Sequence, residues 1–164
     1  SVAFRIAMTA VTVLVVGALV LSAVLVLHNR FTDQRFAAAD GALDASREAV
    51  AALLTADPAD PEGYVDRALA VTTGSQHDRI ADTRDVLMEV VSAQSAPSTG
   101  RVLSAGLVTD PSSDSDGVQA RALVVADASD PQLIGAQEAV NRVTVEVTLI
   151  RVGARWLISR AVLT

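Results

Sequence analysis

The chain of 164 residues contains no cysteine and no lysine, and only 3% of its residues are aromatic. Without cysteine there can be no disulfide, no thiolate nucleophile and no Cys-based zinc or iron–sulfur site. Every one of the 13 basic residues is arginine, against 19 acidic ones, for a net charge of −6. That balance argues against nucleic acid as a partner, because phosphate binding needs clustered cations that release counterions. The two histidines, His28 and His77, lie far apart and neither sits in a second-ligand pattern, whereas a metal site needs three or four convergent ligands. Phosphate-cradling glycine loops and nucleophile elbows are missing as well. No chemistry announces itself, and no cofactor is implied.

What the chain does have is aliphatic mass, since hydrophobic residues make up 51%, mostly Ala, Val and Leu. It is unevenly spread. The 22 residues from Ile6 to Leu27 carry no charge. As a helix they would measure about 33 Å, against a hydrocarbon core of about 30 Å, which predicts a single membrane span. A cleaved signal peptide would have a shorter apolar region, of about 7 to 15 residues, ending at a small-x-small site. Here the run leaves through Leu27-His28-Asn29-Arg30. Arg5 on one side and Arg30 and Arg35 on the other give the positive-inside rule nothing to decide. A large acidic domain after one N-terminal span most simply lies outside the cytoplasmic membrane, on the periplasmic side. On a helical wheel Ala7, Ala10, Gly17, Ala18 and Ser22 share an arc of about 140°, with Leu19 opposite, a stripe that would permit close helix packing in lipid.

Residues 1–30 therefore read as an anchor and 31–164 as one folded domain, helical over 31–96 and strand-rich over 100–164. The Ala-rich stretch from Phe31 to about Ala56 has helical periodicity, and the prolines at 58 and 61 end it. Asp60 is placed to cap a helix with Pro61 at its first position, running to Thr72 with Gly74 as its stop. A third helix is predicted from about His77 or Asp78 to Gln94, with Ile80, Leu87 and Val91 on its apolar stripe. After Gly100 the period changes to two, giving strands at 101–109, 118–126, 140–152 and 155–163. In the last strand, Trp156 and Ile158 are expected on one side, with Leu157, Ala161 and Leu163 on the other. Helices followed by four strands on short connections imply an α+β domain, with helices laid on an antiparallel sheet in a SnoaL/cystatin-like cone.

Cone domains of that kind can host enzymes, and the candidate bases are Asp82, Asp85, Asp127 and Glu146. None comes with a partner at recognisable spacing, and each suits a solvated face, so the reading is non-catalytic. The acidic loop Asp110–Gly117 imitates a calcium loop, but position twelve falls on Leu123 where a bidentate Glu is required. Arg155 and Trp156, just after the Gly153-Ala154 turn, are the soluble residues best suited to docking, although a lone Trp commonly fills a core.

With these pieces in place, the chain resembles the actinobacterial Mce-associated membrane proteins. The likeness rests on the N-terminal span, the Ala-rich helix and the step Ala70-Val71-Thr72-Thr73-Gly74. It rests also on the strand start Val102-Leu103-Ser104-Ala105-Gly106-Leu107-Val108 and on the closing pair Arg142–Arg151 and Arg155-Trp156-Leu157-Ile158-Ser159. The short Gly153-Ala154 link departs from the family pattern. The resemblance implies an accessory subunit that docks on and stabilises an Mce complex, an ABC-type importer of lipids such as fatty acids or sterols. Its partners would be the permease or Mce-domain membrane subunits, together with membrane lipid. The alternative is a free-standing anchored cone that binds a lipid or small apolar ligand, or a SnoaL-like enzyme. A filled core favours the subunit, and an apolar cavity with polar groups favours the alternative.

Overall fold

The computed structural model describes the backbone of residues 2–136 and 141–164, and the side chains of 17–136 and 141–164. It falls into two units, Ser1–Phe36 and Ala37–Thr164. Helix α1 runs from Val2 to Leu54. In the first unit its Leu and Val side chains from Leu19 to Leu27 are all more than half exposed, as is Phe31. Ser22 Oγ donates to the Ala18 carbonyl at 2.8 Å and Thr32 Oγ1 to that of His28 at 3.0 Å, so these hydroxyls are satisfied within the helix itself. Among the described residues no helix is long and apolar enough to cross a membrane; the side chains of 6–16, the first half of the apolar run, lie outside them.

The second unit is α+β. From Ala38 onward α1 contributes Ala42, Val50, Leu53 and Leu54 to a buried core. Helix α2 (Pro61–Ala70) starts as its sequence predicts, with the Asp60 carboxylate accepting from Gly63 N at 3.0 Å and Pro61 in the first turn, where no N–H is needed. It ends at Ala70, and Gly74 is not its stop. Residues 71–73 instead run alongside the last strand. Ile158 N donates to Val71 O at 2.9 Å and Thr73 N to Ile158 O at 2.8 Å, a parallel bridge at Thr72. Gly74, at φ +55°, then opens helix α3 (Gly74–Asp82). The single predicted third helix is in fact two, α3 and α4 (Arg84–Ser92), broken at Thr83. The Thr83 hydroxyl closes α3 by donating to Arg79 O at 2.7 Å, and Arg84 reaches across to Asp66 and Glu62 of α2 at 3.0 and 3.3 Å.

Four strands, β1 (Gly100–Thr109), β2 (Gln119–Ala128), β3 (Arg142–Val152) and β4 (Arg155–Leu163), form an antiparallel sheet in chain order. Residue alternation sets the buried face. Ala120, Ala122, Val124 and Ala126 of β2 and Val143, Val145, Val147 and Leu149 of β3 are buried, and their neighbours in sequence are not. β4 departs from simple alternation. Leu149 pairs with Ile158 but Thr148 pairs with Arg160, so Ser159 is an extra residue in a β-bulge. The bulge reverses the phase, and Ala161 and Leu163 join Trp156 and Ile158 against the core instead of opposing them. The acidic loop ahead of β2 is tied to the β3–β4 hairpin. Asp114 pairs with Arg151 at 3.0 Å, and Gly153 N donates to Asp116 Oδ1 at 2.8 Å. Two carboxylates that a calcium loop would have used are thereby committed within the protein.

Candidate functional site

The second unit holds a cavity of about 230 Å³ between its helices and the end of its sheet. Val50 and Leu53 of α1, Ala68 of α2 and Ile80 of α3 wall one side, while Val145 of β3 and Leu163 of β4 form part of the other. Leu133, from a 3₁₀ turn at Pro131–Ile134, adds to the lining. The bulge at Ser159 is what brings Ala161 and Leu163 to this space, so the cavity is a consequence of the irregular register of β4.

Four polar residues line the cavity, Tyr64, Gln76, Arg79 and Thr83, the last of which donates its hydroxyl to Arg79 O. Tyr64 is buried and donates its hydroxyl to Leu53 O at 3.0 Å. Burial pushes its pKa up to about 12, with Arg67 acting against the rise and Asp130 adding to it. This phenol is neutral at any physiological pH and its proton is already engaged. Gln76 is half-buried, and its Oε1 is shut off from solvent without a hydrogen-bond partner. Arg79, one turn further along α3, lies on the exposed side of the lining. Sequence reasoning does not reach Gln76 and Arg79, because α3 begins at Gly74 and not at His77 or Asp78 as the sequence suggests.

None of the four carboxylates considered from the sequence lines the cavity. Asp82 and Asp85 are exposed at the α3–α4 break. Asp127 lies on the far face of the sheet, 3.0 Å from Arg142 and 3.7 Å from Arg101. The Arg142 hydrogen bond, assisted by the charges of both arginines, holds its carboxyl below the ordinary carboxylate range. Glu146, on the same face, pairs with Arg121 at 2.7 Å. Among the described residues no cluster of His, Asp or Glu could hold a metal ion.

Of the docking pair, Trp156 is only 7% exposed. A Cβ added to Gly41 of α1 would sit 3.4 Å from its indole nitrogen, and Arg151 lies 5.8 Å over its ring. Arg155 is exposed but donates to Ala70 O at 3.0 Å, so what this pair offers a partner is the outer part of one guanidinium. In the small-residue stripe, Ala7 and Ala10 lie outside the described side chains. Gly17 has open space around it, and Ala18 and Ser22 are exposed.

No protein-family model and no curated protein matches the chain. Several solved structures resemble it. An "Ntf2 like protein involved in plasmid conjugation" is 15% identical with a TM-score of 0.41, over 75% of this chain and 47% of that one, so this chain spans about half of its length. A periplasmic fragment of TraM is 11% identical with a TM-score of 0.47, over 73% of this chain and 92% of that one. The intermembrane space region of the chloroplast protein ARC6 is 14% identical with a TM-score of 0.39, over 63% and 79%.

Proposed function

We propose that this protein is a membrane-anchored, non-catalytic cone domain that serves as an accessory subunit of an Mce-type lipid transporter. The observation that carries the reading is in α1. Leu19 to Leu27 present unpaired aliphatic surface that a folded chain does not leave in water, whereas further along the same helix Ala38, Ala42, Val50 and Leu54 are buried in a domain core. Exposed aliphatic residues at the end of an uncharged run of 22 suit lipid or the helices of a membrane partner. The non-catalytic part is supported by the carboxylates. The two on the sheet are engaged by arginines, the two at the helix break face solvent, and the described residues that line the cavity include no Asp, Glu or His.

Three measurements test this. The full chain should stay with membranes through an alkaline carbonate wash, and protease added to intact spheroplasts should digest residues 37–164; release by the wash would remove the anchor. Single changes of Asp82, Asp85 and Asp127 to Asn and of Glu146 to Gln should leave lipid uptake near normal. Loss of uptake in one of them, at normal abundance, would restore the enzyme. The cavity itself favours a second reading, a cone that binds a small apolar ligand, because a core serving only as a docking body has no need of an unfilled apolar space.

A further inference from the structure

The two edges of the sheet are finished differently. On the β4 side, residues 71–73 run along the strand and bridge it at Ile158, and Arg155 and Arg160 add charge. β1 lies at the other edge and pairs with β2 alone. In an antiparallel pair about half of a strand's N–H and C=O groups point away from its neighbour. Among the described residues, 101–109 of β1 make no backbone bond beyond those to β2. Such a row is a template for another strand, and natural edges block it with charge, proline or a covering segment. Val102 to Thr109 contains neither charge nor proline. The side chains of β1 are short of cover as well. Every second residue of β2 is buried, whereas none of β1 is. Val102, Ala105 and Leu107 pack against the core but are only half-buried, and Leu103 and Val108 are 40% and 54% exposed.

The strand is complementary to itself. When two copies pair antiparallel about a two-fold axis through Gly106, Ala105 of each copy faces Leu107 of the other, Ser104 faces Val108 and Leu103 faces Thr109. Half-buried residues then meet half-buried ones, and exposed residues meet exposed ones. Centring the pair one residue earlier, on Ala105, would set half-buried Leu107 against exposed Leu103. The ends agree with the Gly106 register. It brings exposed Arg101 of each copy beside exposed Asp110 of the other, so opposite charges close both ends. Gly106 itself has open space around it, so two backbones can approach at the axis without meeting a side chain. The net charge of −6 opposes association of two copies, but none of it lies between Val102 and Thr109. The register shifts of β1 fall outside 104–107 and leave the centre regular. We propose that β1 pairs with β1 of a second copy, antiparallel and centred on Gly106, and so joins two four-stranded sheets into one continuous sheet. This dimer depends on neither the transporter nor the cavity.

The chain has no cysteine, so a single introduced one reports its own neighbour. Residues facing each other across an antiparallel pair have Cα atoms about 4.5 to 5.5 Å apart, within reach of a disulfide. In cells expressing the full chain, Gly106→Cys under mild oxidation should give at least about fivefold more covalent homodimer than Val86→Cys, on the exposed face of α4. Sedimentation equilibrium of the full chain in density-matched detergent micelles gives the dimer dissociation constant. Gly106→Lys sets like charges face to face and should raise that constant about fivefold, as should Gly106→Glu. An equimolar mixture of the two should return to within about twofold of the parent, a rescue that a misfolded variant could not show. A parent chain that sediments as a monomer would overturn the pairing. So would a dimer that Gly106→Lys leaves as tight as the parent's, or a Gly106→Cys chain that links to a different protein and not to itself.

Discussion

At the scale of single residues the second unit is held by close approaches that allow little substitution. A methyl group on Gly100 would collide with Cβ of Leu54, which is completely buried. Gly100→Ala should therefore lower stability by about 1 to 3 kcal/mol, measured by urea unfolding. Gly106→Ala, in the same strand with open space around it, should change stability by less than about 0.5 kcal/mol. Trp156→Ala should cost about 3 to 5 kcal/mol, as truncation of a buried aromatic does, and a much smaller loss would mean that the indole is a docking group after all. Tyr64 gives a pH signature. Its folded pKa of about 12 lies above the ordinary 10.0, so the unfolded chain ionises first as pH rises. Its contribution is complete below pH 10 and is lost progressively between about pH 10 and 12. Stability followed through that range should fall more steeply in the parent than in Tyr64→Phe.

At the scale of elements, the sequence announces whatever has a period and hides whatever interrupts one. The Asp60-Pro61 start of α2, the four strands and the buried face of β3 follow from capping chemistry and alternation, and the structure has them. Three interruptions were not legible. Thr83 breaks a stretch with an unbroken apolar stripe, because Arg84 reaches the carboxylates of α2, a contact distant in sequence. Ser159 bulges within a strand of ordinary composition, and the cavity depends on it. Val71 to Thr73 look like the tail of a helix and instead pair with β4. The candidate site lay out of reach for the same reason, since Gln76 and Arg79 face the cavity only once α3 begins at Gly74. The pairing of 71–73 has its own check. Amide hydrogen exchange at Thr73, bonded to Ile158 O at 2.8 Å, should be as slow as at Ile158 itself, although Thr73 lies outside any regular strand. Fast exchange at Thr73 would show that the segment is not part of the sheet.

At the scale of the whole molecule, the two units pose different chemical problems. Ala37–Thr164 buries its aliphatic residues in a core of its own. Among the described residues the large aliphatic side chains from Leu19 to Leu27 have none to join, and on the proposed reading they need lipid or another helix. The proposal answers that need with a transporter's membrane subunits, and places the closest packing on the Gly17, Ala18 and Ser22 side of α1. The most direct measurement is affinity purification of the full chain from native membranes, comparing the parent, Gly17→Leu and Leu19→Ile at equal expression. The account predicts that the parent and Leu19→Ile recover Mce transporter membrane subunits, and that Gly17→Leu recovers about tenfold less, as an overpacked contact costing about 1 to 3 kcal/mol would produce. Recovery of the parent protein without any such subunit would contradict it.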